Sequence, residues 1–276
     1  MTRGDRAYRG YVFDLDGTLY LGETPIPGAS ATVAELRRRG ARVAFLTNKP
    51  LERPAAYAAK LTRLGIAAEP EEVVTSLDSL VRYFRLRPPE GPLLPIAEPL
   101  VGTVLGEAGL ATTDDPASAA AVVVAWDRTY DYAKLERAYR AVRRGAPLVA
   151  TNPDPYCPTP DGGLPDCGAI LAAIEVASGR QAAAVVGKPS LHMAETLLER
   201  LGLRPEEVVL VGDRLSTDVR MARAAGMAAA LVLTGATSAE EAIQAADPPD
   251  LVVDDVTGLL DGRRRREREL HEARRR

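Results

Sequence analysis

Residues Tyr11–Leu19 read YVFDLDGTL. Gly10–Asp14 (GYVFD) has the apolar run of a buried strand, and it leads into two acids one residue apart. Strand side chains repeat every second residue, so Asp14 and Asp16 can face the same side of the strand's carboxyl end. Ligands of open parallel sheets bind at that end. Gly17 lets the chain turn sharply away, with Thr18 completing the turn. Two carboxylates held this close repel, and a divalent cation relieves the repulsion. Oxygen-only donors point to Mg2+ rather than zinc. The alternative is an acidic turn that holds no ligand.

Working outward, short apolar runs alternate with helical stretches, the pattern of βα units on a parallel sheet. Helix Ala29–Arg39 is ended by Gly40 and followed by strand Ala41–Leu46; helix Pro54–Leu64 is followed by strand Glu72–Thr75. The proline-rich stretch RPPEGPLLPIAEP (residues 87–99) reads as a boundary or an edge strand. A second series follows: strand Ala120–Ala125, helix Tyr132–Arg143, strand Pro147–Ala150, the long loop Thr151–Pro165 and helix Cys167–Ala177. A third comprises strand Ala183–Val186, helix Ser190–Leu201, strand Val208–Val211, helix Asp218–Ala225, and strands Ala229–Leu233 and Leu251–Val253. The expected architecture is α/β: a doubly wound, Rossmann-like parallel-sheet core (residues 1–85 and 186–262), interrupted by an inserted α/β cap domain (86–185). The tail 263–276 holds eight arginines against three glutamates and is expected to be solvated and frayed.

Three further strand ends carry polar groups. Phe45–Lys49 (FLTNK) offers the Thr47 hydroxyl and the Asn48 amide to phosphate oxygens, although Thr-Asn after a strand is also an ordinary helix cap. In Val185–Ser190 (VVGKPS), Lys188 is fixed between Gly187 and Pro189, where it can neutralise phosphoryl charge; a surface lysine is otherwise solvated. Val208–Asp218 (VVLVGDRLSTD) delivers Asp213 to a strand end as a further metal carboxylate. Asp218 can support Lys188, join the metal shell or merely start a helix.

Taken together, D-x-D-G-T, T-N, K-P and G-D-x4-D in this order resemble the haloacid dehalogenase superfamily. The long gap between T-N and K-P resembles its NagD-like branch (class IIA), as do Val122–Tyr132, Ala150–Pro160 and Leu231–Gly235 (LVLTG). Ser216 departs from the pattern, since many relatives carry an acid there. Within the branch, VVGKPSLHMAE and PDCGAI look most like sugar-phosphatase members. The resemblance implies that Asp14 is the nucleophile and Asp16 the general acid and base. It implies Mg2+ held by Asp14, the Asp16 backbone carbonyl and Asp213, and a phosphate cradle of Thr47, Asn48 and Lys188. Trp126 and Asp154, in the cap, are candidates for choosing among small phosphate monoesters. A phosphomutase, a nucleotide phosphatase, a dehalogenase and a non-catalytic phosphate-binding relative are the rivals within the fold. A phospho-receiver domain needs only about half this length.

Composition narrows the class. The 276 residues carry a net charge of −3 and are 46% hydrophobic, which gives no electrostatic reason to expect nucleic acid or an anionic membrane as partner. No segment approaches the roughly 20 apolar residues of a membrane span, and no secretory signal is evident, so the expectation is a cytoplasmic protein. A homodimer through the cap is the assembly considered. Cys157 and Cys167 cannot by themselves build a disulfide framework or a zinc site.

Overall fold

A computed structural model describes residues 8–157 and 162–260. The arginine-rich tail lies outside the described residues, as do residues 158–161 of the Thr151–Pro165 loop. The described residues divide into two compact units, one formed by residues 8–47, 54–74 and 197–260, the other by residues 48–53, 75–157 and 162–196.

The first unit is built on a six-stranded sheet. Its order is Leu251–Val253, Ala228–Val232, Val208–Gly212, Gly10–Asp14, Arg42–Thr47, Val73–Thr75. The pairings from Leu251–Val253 through Arg42–Thr47 are parallel. Every residue of Gly10–Asp14, Val208–Gly212 and Ala228–Val232 is buried, as expected for strands covered on both faces. Helix Ala29–Arg38 buries Ala29, Thr32, Val33 and Leu36, and helix Pro54–Arg63 buries Tyr57, Ala58 and Leu61. Those spacings are the apolar stripe of a sheet-covering helix. On one side of Gly10–Asp14 lies the next strand of its own series; on the other lies Val208–Gly212, nearly two hundred residues later. Strand order reverses there, which makes the carboxyl ends of these two strands the topological switch point of a doubly wound sheet.

The second unit has its own four-stranded parallel sheet, with Leu93–Ile96, Ala121–Val124, Leu148–Ala150 and Ala184–Val185 side by side in chain order. The proline-rich stretch supplies its edge: Pro95 sits in the outer strand, where a missing N–H is tolerated, and Pro99 opens helix Pro99–Glu107. Residues 75–85 and 186–196, grouped with the core in the sequence reading, belong to this unit. Helix Ser76–Leu86 buries Leu77, Leu80 and Phe84 against Leu93, Val101, Leu105, Ala121 and Val123, and Val186 joins the same cluster. Helix Asp218–Ala225 also differs. The chain first makes a π-helical turn over Leu215–Val219 and becomes α-helical at Arg220–Ala224. Among the described residues no helix is long and apolar enough to cross a membrane.

Candidate active site

Asp14 is the last residue of its strand, and Asp213 directly follows Gly212 on the neighbouring strand. Asp218 rises from the π-helical turn, where its Oδ2 accepts the Arg214 N–H at 3.2 Å. These three buried aspartates each bring a carboxylate oxygen within 4.8 Å of the other two. Opposite ligands of an octahedral magnesium ion, bound at about 2.1 Å, stand about 4.2 Å apart. The donor set therefore fits a hard divalent cation in size and in chemistry, and a cation would offset the mutual repulsion of three buried carboxylates. The sequence left three roles open for Asp218, and the structure brings it to the carboxylate group. Asp16 is only half-buried, and its side chain is not one of the three.

The turn after Asp14 is held tightly. Gly17 has φ +84°, and its N–H donates to the Tyr20 carbonyl at 2.8 Å. A Cβ at Gly17 would lie 2.6 Å from Asp213 Oδ2, so only glycine fits. Thr18 is fully buried within the turn. Thr47 ends strand Arg42–Thr47, one residue beyond Leu46, the register partner of Asp14. Its buried hydroxyl thus belongs to the same sheet edge as the nucleophile candidate.

In the second unit, Asn48 and Lys188 hold each other. The Lys188 N–H donates to Asn48 Oδ1 at 2.8 Å, and Asn48 Nδ2 donates to the Lys188 carbonyl at 3.1 Å. The same Nδ2 donates to Asp154 Oδ2 at 2.8 Å, which also accepts from Asn152 Nδ2 at 3.0 Å. The Asn48 amide is thus engaged on both sides and fixes the backbone that carries the buried Lys188. Trp126 is buried too, and its Nε1 has no hydrogen-bond partner among the described residues.

Sequence reasoning missed Asn152 and Asp166, which continue this network. Asp166 is the N-cap of helix Cys167–Ser178 and accepts the Cys167 N–H at 2.5 Å. Burial pushes its carboxyl up to about 6, only partly offset by the Cys167 and Asn152 hydrogen bonds. A carboxyl raised in the folded state gives stability that is complete below its unfolded value near 4 and is lost as the pH climbs through 6. Asn keeps the capping oxygen without ionising. Asp166→Asn is therefore expected to raise the unfolding temperature by a few degrees at pH 8, on the order of 1–2 kcal/mol, with the gain vanishing at pH 4. Thermal melts of both proteins across that range check it; an equal shift at both pH values would remove the ionisation from the explanation.

A family model for haloacid dehalogenase-like hydrolases matches residues 11–111, and a second, HAD-hydrolase-like, matches residues 185–259. Human chronophin is 36% identical over 275 residues, covering 92% of this chain and 93% of its own. The chain belongs to the haloacid dehalogenase-like hydrolases. Within that family it falls in the NagD-like branch. The sugar-phosphatase AraL of Bacillus subtilis is 33% identical over 255 residues, covering 91% of this chain and 93% of its own. A glycerol phosphate phosphatase from Mycobacterium tuberculosis, solved in complex with magnesium, superposes with a TM-score of 0.85 at 32% identity, over 94% of this chain and 78% of its own. The two matched segments of this NagD-like hydrolase contain Asp14 and Thr47 in one, and Lys188, Asp213 and Asp218 in the other.

Proposed function

We propose that this NagD-like hydrolase is a Mg2+-dependent phosphatase that cleaves small phosphate monoesters through an aspartyl-phosphate. The observation that carries the reading is the convergence of Asp14, Asp213 and Asp218 at the switch point of the sheet. Asp14 attacks phosphorus with a carboxylate oxygen, and the bond from phosphorus to the leaving oxygen breaks as Asp16 donates it a proton. Asp16, now ionised, takes a proton from water, whose oxygen attacks the phosphorus and releases inorganic phosphate from Asp14. Asp14, Asp213 and the Asp16 carbonyl would hold the cation, with Asp218 beside them; bound there, it neutralises phosphate charge that would otherwise repel the attacking carboxylate. Thr47 donates to a phosphoryl oxygen. Lys188 supplies fixed positive charge, with Asn48 acting through the Lys188 backbone.

The second unit is proposed as a cap that selects the leaving group. Asp154 enters through its bond to Asn48, and Trp126 through packing. Relatives named as a sugar phosphatase and a glycerol phosphate phosphatase support polyol and sugar phosphates as the substrate class. Substitution of Asp154 by Asn is expected to change the ratio of kcat/KM between a sugar phosphate and glycerol phosphate several-fold, with the Mg2+ requirement unchanged; a uniform loss on all esters would remove it from substrate choice. A homodimer through this unit belongs to the same reading, supported by exposed Tyr132 and Val176, on helices that pack together, and sedimentation tests it. So does the cytoplasmic setting expected from the sequence. The deciding assay is a panel of phosphate esters with and without Mg2+. Release of phosphate from several small monoesters is the expected result. Activity confined to phosphate transfer between hydroxyls of one sugar would instead favour a mutase.

A further inference from the structure

LVLTG, singled out in the sequence as a likeness to the NagD branch, has no role in the steps above, yet its end packs on Asp213 and on the Gly17 turn. The Thr234 hydroxyl donates to the Gly17 carbonyl at 2.5 Å. The Ala236 N–H donates to Asp213 Oδ2 at 2.6 Å, and the Thr237 N–H to the Asp213 carbonyl at 3.2 Å. Between them, Gly235 lies so close that an added Cβ would stand 2.1 Å from Asp213 Oδ2 and 2.5 Å from its Cγ. A Cβ on Gly17 would likewise meet the Gly235 Cα at 3.1 Å. Three strand ends of the first unit are thereby locked together: the Asp16–Thr18 turn, Asp213, and the segment after Ala228–Val232.

We propose that residues 234–237 form a latch, with Thr234 as its positioning residue, that sets the Asp213 carboxylate and the Asp16–Gly17 turn in register for the cation. This rests on the Mg2+ reading above. The physical basis is that cation affinity depends on ligands held in place by the groups hydrogen-bonded to them. A carboxylate with one oxygen pinned by a backbone N–H loses little freedom when it coordinates. The Thr234 bond keeps the turn carrying Asp16 against the same segment. Val at 234 keeps the shape of Thr and removes the donor, leaving the Gly17 carbonyl without that partner. Ser restores the donor without the methyl.

The experiment titrates Mg2+ into wild type, Thr234→Val, Thr234→Ser and Gly235→Ala, and fits the dissociation constant from the dependence of the unfolding temperature on Mg2+ concentration, with no substrate present. Far-UV circular dichroism confirms that each variant is folded. Thr234→Val is expected to raise the Mg2+ dissociation constant about ten-fold, the upper end of what one lost part-buried hydrogen bond is worth, and Thr234→Ser to return it to within about two-fold of wild type. At saturating Mg2+ the Thr234→Val protein should keep its KM for a phosphate ester. Gly235→Ala, whose methyl must displace the Asp213 carboxylate, is expected to exceed the Thr234→Val effect and carries the test if Thr234→Val does not fold. Wild-type affinity in Thr234→Val or in Gly235→Ala, or equal impairment of Thr234→Val and Thr234→Ser, overturns the latch alone. Absence of any Mg2+ response in the wild type overturns the cation assignment, and the latch with it.

Discussion

Replacing Asp14 by Asn is expected to lower kcat on the order of 10^4-fold or more, while the unfolding temperature measured in a chelator holds or rises. An amide oxygen is a poor nucleophile and cannot form the acyl-phosphate, so the loss should appear in kcat and not only in KM. At about 1.36 kcal/mol per decade, that loss corresponds to roughly 5 kcal/mol of transition-state stabilisation. The stability half of the prediction comes from the same geometry. Asp14, Asp213 and Asp218 are buried with carboxylate oxygens within 4.8 Å of one another. Removing one charge from such a group relieves repulsion in the metal-free protein. Most substitutions at buried polar positions destabilise, so activity lost together with constant or increased stability separates a chemical role from a structural one. Steady-state kinetics and melts in EDTA check both halves. Near wild-type turnover in Asp14→Asn would assign the nucleophile to another residue.

Chelation should abolish hydrolysis, and Mg2+ should restore it together with a higher unfolding temperature. A ligand at 100 times its dissociation constant stabilises the folded state by about 2.7 kcal/mol. For a chain of this length each kcal/mol is worth about 2–4 °C, so the expected rise is roughly 5–10 °C. The sign follows from the cluster: without a cation, burial and mutual repulsion both penalise the three charged carboxylates, and a cation offsets both. Asp213→Asn should remove most of the Mg2+-dependent rise, because it removes one of the three negative charges that would hold the cation. Calorimetric scans with and without Mg2+ measure it. Full activity in EDTA would exclude a cation from the reaction.

Chain order and residue type alone determined a good deal about this hydrolase. The strand Gly10–Asp14 and its acids, the parallel α/β class and the strand-end placement of Asp14 and Asp213 are local: an apolar run long enough for one strand, then polar groups at its carboxyl end. Period-2 and period-3.6 patterns are carried by neighbours in sequence, so no tertiary information is needed to read them. The proline-rich stretch was ambiguous for the same reason. Its prolines mark an edge or a boundary equally well, and only pairing with Ala121–Val124 shows it to be an edge strand.

What tertiary structure decided is which groups meet. Asp218 has three readings in sequence, and only the fold shows that the π-helical turn carries its carboxylate to within 4.8 Å of those of Asp14 and Asp213. Asn48 reads in sequence as a donor to phosphate, and only the fold shows its side-chain amide bonded to Lys188 and Asp154. The Ala236 N–H that pins Asp213 leaves no sequence signal at all, since every residue except proline carries that donor. Backbone donors and long-range convergence depend on how strands are ordered in the sheet, and that order is set by the packing of the whole core, beyond the reach of any local pattern.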